Sequence, residues 1–311
     1  MKTRLAVLIL LVLLALLPFY AGKYALYVAI HILLLSIFSL GFNLLFGYTG
    51  LLSFGQAGFY AVGAYGCGKI LLAYPSLLAG IVGGVLLAGA VSLLLGILCI
   101  RHTRIYFSML TLSFGMMIFS LAWKWRDMTG GDDGLVGIPR APLEVPGLFK
   151  INMAAMENYY YVVLGFAVLA IYLFHRIIHS PMGLAMQGIR DSETRTACIG
   201  ISVQKYRLVA FTIAGLYAGL AGALLPPLES TVTPPLAHWS HSAEPVLATL
   251  LGGIYAFSGP IVGSVLFYLL KDIIVRFTEY WLICLGIIVV ILVMGFRGGV
   301  VGIFAREGSR R

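Results

Sequence analysis

Charge is the scarcest commodity in this chain of 311 residues: Asp, Glu, Lys and Arg together make 11%, against about 25% in soluble globular domains. With 60% hydrophobic residues and a mean hydropathy of +0.99, a water-solvated globular fold is excluded and the bilayer is the main solvent. No G-x-x-x-x-G-K-[ST] run occurs, so any nucleotide belongs to another chain. Cysteine is sparse as well. Cys67, Cys99 and Cys284 fall in apolar stretches and Cys198 in a polar one, which excludes a disulfide framework and predicts free thiols. No His/Cys/Asp/Glu group has metal-ligand spacing and no nucleophile shares a helix face with a base, so neither a metal site nor an enzyme is expected. Ionisable residues are almost absent from the apolar stretches. His31 reads as a packing residue, and Lys69 as a side chain that reaches out from a span end. Carriers driven by protons or sodium keep ionisable residues deep in their spans, so the energy for any transport comes from elsewhere. The formal net charge of +9 does not point to nucleic acid, because the bases collect at span ends.

What is present is a series of apolar runs, at about 5–22, 24–46, 54–73, 76–100, 105–124, 159–178, 208–226, 245–257, 260–277 and 279–296. The first has the outline of a signal peptide but lacks a small-x-small cleavage site, and reads as an uncleaved span. Arg101 and Arg104, the cluster Arg176, Arg190, Arg195, Lys205 and Arg207, and the tail with Arg297, Arg306, Arg310 and Arg311 belong in the cytoplasm. The 125–158 loop, with Asp127, Asp132, Asp133, Glu144 and Glu157 against three bases, belongs outside, as does 227–244 with Glu229 and Glu244. This alternation requires a break at Ser258-Gly259-Pro260, and places both termini in the cytoplasm. The expected fold is one all-α integral membrane domain over 1–311. It has about ten transmembrane segments in two inverted-topology halves, about 5–124 and 159–296, with broken or short helices.

Each half has a glycine-rich interruption, beginning at Gly47-Tyr48-Thr49-Gly50 and at Gly252-Gly253. Paired interruptions of this kind point to a translocation path. Tyr48, Thr49, Ser53, Phe54 and Gln56 offer hydroxyls, an amide and aromatic surface beside the first. Gly252 and Gly253 open the second, and Glu244 precedes Pro245, where it would either steady a helix N-terminus or meet an arriving ammonium. Pairs such as Gly55/Gly58, Gly80/Gly84 and Gly215/Gly219/Gly222 read instead as close helix packing. Few polar groups among apolar walls suit a hydrophobic or small neutral solute.

Between two spans lies a polar island, Ser180–Arg207. Asp191 is placed to cap a short helix over 192–199, with Glu193 at the positive end of its dipole and Gly200 in the left-handed conformation that ends it. Ser202 offers a second cap. Two turns are too few to persist alone in water, which suggests a docking element that transmits force from a soluble partner.

The run G-I-R-D-S-E-T-R-T-A-C-I-G-I-S-V-Q-K-Y-R-L-V-A-F-T-I-A-G-L-Y-A-G-L-A-G-A-L resembles the coupling region of permease subunits of branched-chain amino acid ABC importers, more the M-type than the H-type. The likeness extends from about Asn43 to Ile303. Thr129-Gly-Gly-Asp-Asp-Gly-Leu is similar to the family's T-G-G-x-D-G-L. S-x-E-P before G-G-x-x-x-x-x-G-P follows its pattern, departing at Ala256-Phe257, where the family often has Gly-Thr. The resemblance implies an inner-membrane subunit that moves leucine, isoleucine or valine beside a homologous permease. Two ATPase subunits, which bind the ATP and magnesium, would seat on Arg190, Asp191, Ser192, Glu193, Thr194, Arg195, Ala197 and Gly200 across the 179–207 loop. A periplasmic binding protein would meet Asp132 and Asp133. No cofactor of its own is implied. The residues alone leave open a self-sufficient channel for a small neutral solute such as urea or a short amide.

Overall fold

The computed structural model describes residues 13–20, 22–102, 104–145, 149–151, 153, 155–277, 280, 283–284, 286–287, 290 and 299–302. Helix α1 (Lys23–Asn43) continues without a gap into a π-helical turn, Leu44–Tyr48. Helices α2 (Gln56–Ala73) and α3 (Leu77–Cys99) follow, separated by Tyr74-Pro75-Ser76. Tyr74 is extended, at φ −134°, because proline disfavours the helical conformation in the residue before it. Helices α4 (Arg104–Lys124) and α5 (Met156–Ile178) complete the first group. Glu157 in the first turn of α5 and Arg176 in its last complement its dipole.

The polar island holds two helices where the sequence predicts one. Helix α6 (Pro181–Asp191) starts from Ser180, whose hydroxyl accepts from the Gly183 N–H, with Pro181 in the first turn, where a missing N–H costs nothing. Helix α7 (Glu193–Cys198) follows directly. Its cap is Ser192, whose Oγ accepts from Arg195 N at 3.4 Å, and not Asp191. Asp191 closes α6, and its carboxylate is held by Arg190 at 3.0 Å. Helix α8 (Val203–Ala223) then crosses the bundle, and α9 (Trp239–Gly252) and α10 (Gly259–Phe277) return.

Among the described residues, five helical stretches are long and apolar enough to cross a membrane: Lys23–Tyr48, Leu77–Cys99, Ile105–Lys124, Met156–Ile178 and Val203–Glu229. The ten expected spans shrink for definite reasons. Helix α9 has 14 residues, and α10 carries Lys271, Asp272 and Arg276. Residues 5–12, the arginines of the tail and most of 279–296 lie outside the described residues, as do both ends of the chain.

Helices α2, α3 and α8 pack most extensively on one another, and glycine lets them touch. A Cβ added to Gly63 would lie 2.3 Å from Gly219 O, and one on Gly222 would lie 1.9 Å from Tyr60 O. This is the small-residue packing by which helices associate in lipid. Two small strand pairs, not foreseen in the sequence, sit in the loops. Leu135–Val136 (β1) pairs antiparallel with Thr231–Val232 (β4), and Leu143–Val145 (β2) with Phe149–Ile151 (β3). Arg140 adds hydrogen bonds to the carbonyls of Pro227 and Leu228, at 2.8 and 3.1 Å. The two acidic loops therefore meet at one end of the bundle. The polar island lies at the other, because α5 and α8 each run between the two.

Candidate translocation site and coupling element

At the island end, α7 is clamped to the base of α8. Arg207, 6% exposed, donates from both terminal nitrogens to the two Glu193 oxygens at 2.9 and 2.7 Å. This fork-on-fork geometry fixes orientation as well as distance. Glu193 therefore serves less as a dipole partner than as a clasp. Gly200, at φ +86°, turns the chain out of α7 toward Ser202, which precedes α8 without a side-chain cap. Glu193, Thr194, Arg195 and Ala197 are exposed, and Ile199 is 76% exposed.

One residue away, Arg190 leaves α6 for the bundle. Its terminal nitrogen donates to Gly47 O at 2.8 Å, and its guanidinium lies 5.0 Å from the Tyr255 ring centroid, a cation–π distance. Gly47 belongs to the π turn that ends α1, and Tyr255 to the interruption between α9 and α10. The interruptions touch each other too: a Cβ on Gly47 would stand 2.7 Å from Ile254 O. In the second break, Gly252 and Gly259 are packed backbone to backbone, with 1.8 Å between a Cβ on Gly252 and Gly259 O. A cavity of about 490 Å³ opens here, lined by Tyr48, Gln187, Arg190, Tyr255 and Phe257 among others.

At the loop end, a cavity of about 360 Å³ falls within the range of small-molecule sites, roughly 300–1,000 Å³. Leu34, Leu35, Phe38, Leu225 and Leu236 give it an apolar wall, and Glu229, His31, His241, Glu244 and Lys271 give it charge and polarity. Glu229 accepts from the Tyr27 hydroxyl at 2.6 Å and lies 3.0 Å from His31 Nε2. Lys271 donates to Glu244 at 2.6 Å, and His241 stands 3.4 Å from the second Glu244 oxygen.

The bundle also buries a set of polar atoms, two of whose residues fall between the cavities along their helices. Both polar atoms of Asn43 and of Gln56, with Ser53 Oγ and Thr249 Oγ1, have no hydrogen-bond partner among the described residues. Along α1, Asn43 falls between Phe38 of one cavity and Gly47 of the other; along α9, Thr249 falls between Glu244 and the Tyr255 turn. Buried groups left unpaired are rare, and each requires a reason.

The family model for the permease component of branched-chain amino acid transport systems matches residues 24–293. The chain belongs to that permease family. It is 28% identical over 323 residues to the high-affinity branched-chain amino acid transport system permease protein LivM of Escherichia coli K12. That alignment covers 94% of this chain and 73% of the relative. The LivM protein of Salmonella typhimurium matches equally, at 28% identity over the same shares. A probable branched-chain amino acid transport permease protein LivH of Methanocaldococcus jannaschii is 24% identical over 241 residues, 74% of each chain. No solved structure gives a significant match.

In this permease the residues expected along the path are divided. Glu244 lines the loop-end cavity, and Tyr48 the island-end one. Ser53 and Gln56 belong to the unpartnered set. Thr49 is buried with its hydroxyl on Leu44 O. Phe54 faces a separate groove beside α4, with Ile105 and Met109. Gly252 and Gly253 shape the second break. Asp132 and Asp133 are exposed on a 3₁₀ turn at the loop end.

Three expectations need correction. Glu244 is the sixth residue of α9, not a residue ahead of its helix, and the cap is His238, which accepts from Ser240 N. His31 is not simple packing, since it holds Glu229 at the cavity wall. The apolar spans are not empty of charge: α10 carries Lys271, and also Asp272, which is bonded to Tyr24 and Arg276. The His31–Glu229 and Tyr24–Asp272 pairs join positions far apart in sequence, so spacing gives no sign of them. Lys69 does reach from its span end, to the Asp127 carbonyl at 3.0 Å.

Proposed function

We propose that the permease is the membrane subunit of an ATP-driven importer that carries a branched-chain amino acid, powered through the polar island. The observation that carries this reading is Arg190, whose one side chain joins the island to both glycine interruptions. ATPase subunits, one chain of which would press on Glu193, Thr194, Arg195, Ala197, Ile199 and Gly200, move α7. The Arg207–Glu193 clasp passes that movement to α8, and Arg190 passes it to the breaks. Rocking of the breaks against each other opens the two cavities in turn. The solute runs past Asn43, Ser53, Gln56 and Thr249, whose unpaired atoms it or its water would satisfy.

On this reading the two breaks mark inverted halves of a ten-segment bundle, with a homologous permease alongside in the inner membrane. The island and both chain ends face the cytoplasm. A soluble binding protein delivers the solute at the other end, where Asp132 and Asp133 project. The permease alone, in liposomes, should pass no L-leucine, and the assembly with its ATPases should pass it only with ATP. Unaided flux through the permease alone would overturn the proposal in favour of a channel.

A further inference from the structure

We infer that the loop-end cavity reads a free amino acid by both of its charges: Glu229 receives the α-ammonium, Lys271 meets the α-carboxylate, and Leu34, Leu35 and Phe38 cover the side chain. This rests on the importer reading but goes beyond it, because that reading assigns no residue to either charge of the amino acid.

The charges lining the cavity do not balance. Glu229 and Glu244 face one permanent cation, Lys271. Glu244 has that cation at 2.6 Å. Glu229, by contrast, is held by a phenol hydroxyl and an imidazole; the fixed cation nearby, Arg140, spends its donors on the carbonyls of Pro227 and Leu228 and forms no ion pair with it among the described residues. A half-buried carboxylate held by donors, with no cation in contact, stays poised for an incoming one. Its side chain is 33% exposed, so it is reachable from the cavity. Lys271 carries three donors on a flexible stem, so exchanging one of its contacts lets it keep Glu244 and donate to a second carboxylate. The wall of α1 between these groups is aliphatic and aromatic, which suits a branched hydrocarbon and offers nothing to a sugar's hydroxyls.

The test has two arms. Saturation-transfer NMR on the full-length permease in nanodiscs compares L-leucine with 3-methylbutylamine and 4-methylpentanoate, which each keep one of its two charges. Transfer to leucine should exceed that to either analogue at least about tenfold, because a site built for a polar group rejects the analogue lacking it. Equal transfer to all three would overturn the proposal and leave an apolar pocket. In cells carrying the whole transporter, E229Q and K271Q should each lower the maximal rate of labelled leucine uptake about tenfold, with permease abundance and ATP hydrolysis unchanged. Normal uptake in both variants would overturn it. Should either variant fail to assemble, the NMR comparison on the unaltered chain decides alone. Leucine selectivity in nanodiscs without leucine uptake by the unaltered transporter would sink the importer reading and support the charge reading.

Discussion

The two ends of the bundle handle charge in opposite ways. At the island end, Arg207 is nearly sealed from solvent and grips Glu193 with two bonds, so α7 and α8 move as one body. Arg190 divides its guanidinium among the neighbouring Asp191, the Tyr255 ring and the Gly47 carbonyl, and side-chain motion alone cannot carry off the last of these. At the loop end, Glu229 and Glu244 are partly exposed and bonded to groups on other helices across an open cavity. Such bonds can be exchanged for a solute's at small net cost, because one charge-assisted partner replaces another. The contrast separates a part made to hold its shape from a part made to be reopened.

Substitutions sharpen that contrast if island-end changes act through stiffness and loop-end changes through the solute. The largest effect is expected at the joint between the ends. Gly252→Ala places a Cβ 1.8 Å from Gly259 O, where neither backbone has room to yield. It should cost about 3 kcal/mol, the upper part of the overpacking range, and lower the midpoint of thermal unfolding in detergent. Arg207→Ala comes next. Glu193 is 47% exposed and can turn to water, so the loss is about 2 kcal/mol, as for a charged hydrogen-bonded pair. Fluorescence melting should report it, and uptake should fall while ATP hydrolysis continues.

Gly200→Val forces a β-branched residue to φ +86°, at roughly 1–2 kcal/mol of local strain. Nothing lies within 4 Å of the added Cβ, so expression should persist while hydrolysis is uncoupled from uptake. Unchanged transport in that variant would count against the coupling role. The smallest effect belongs to Arg190→Lys, which keeps the charge but loses the planar fork that spans Gly47 and Tyr255. Uptake should fall severalfold with no shift in melting. A large melting shift would make Arg190 a stabilising residue and blur the distinction between the ends.

Much of the island end was legible in the sequence because its signals are local. Ser-x-x-x and Gly punctuate α7 within one short stretch, and the glycine interruptions stand out against apolar runs. The cap shifts by one residue, from Asp191 to Ser192, because a second helix ends at Asp191, and Glu193 finds its partner in Arg207, 14 positions on. The loop-end cavity was illegible for the converse reason. Tyr27 and His31 meet Glu229 some 200 positions away (|i−j| of 202 and 198), and a lone His in an apolar run looks like packing until its partner is known. Lys271 gives no signal in the sequence because its charge falls inside a run whose average is apolar. The span count suffered similarly: α9 is short, and α10 is charged, for reasons that belong to the cavity they line.

The central claim is that Ser180–Arg207 is a rigid lever on the cytoplasmic side, worked by a partner that hydrolyses ATP. Cys198 lies on it and is exposed, whereas Cys67 and Cys99 are buried. In a Cys284→Ser background, a membrane-impermeant maleimide should label Cys198 in inverted vesicles and not in intact spheroplasts. Adding the ATPase subunits should block that labelling. Labelling from the outside of intact spheroplasts, or labelling that the ATPase subunits leave untouched, would contradict the account.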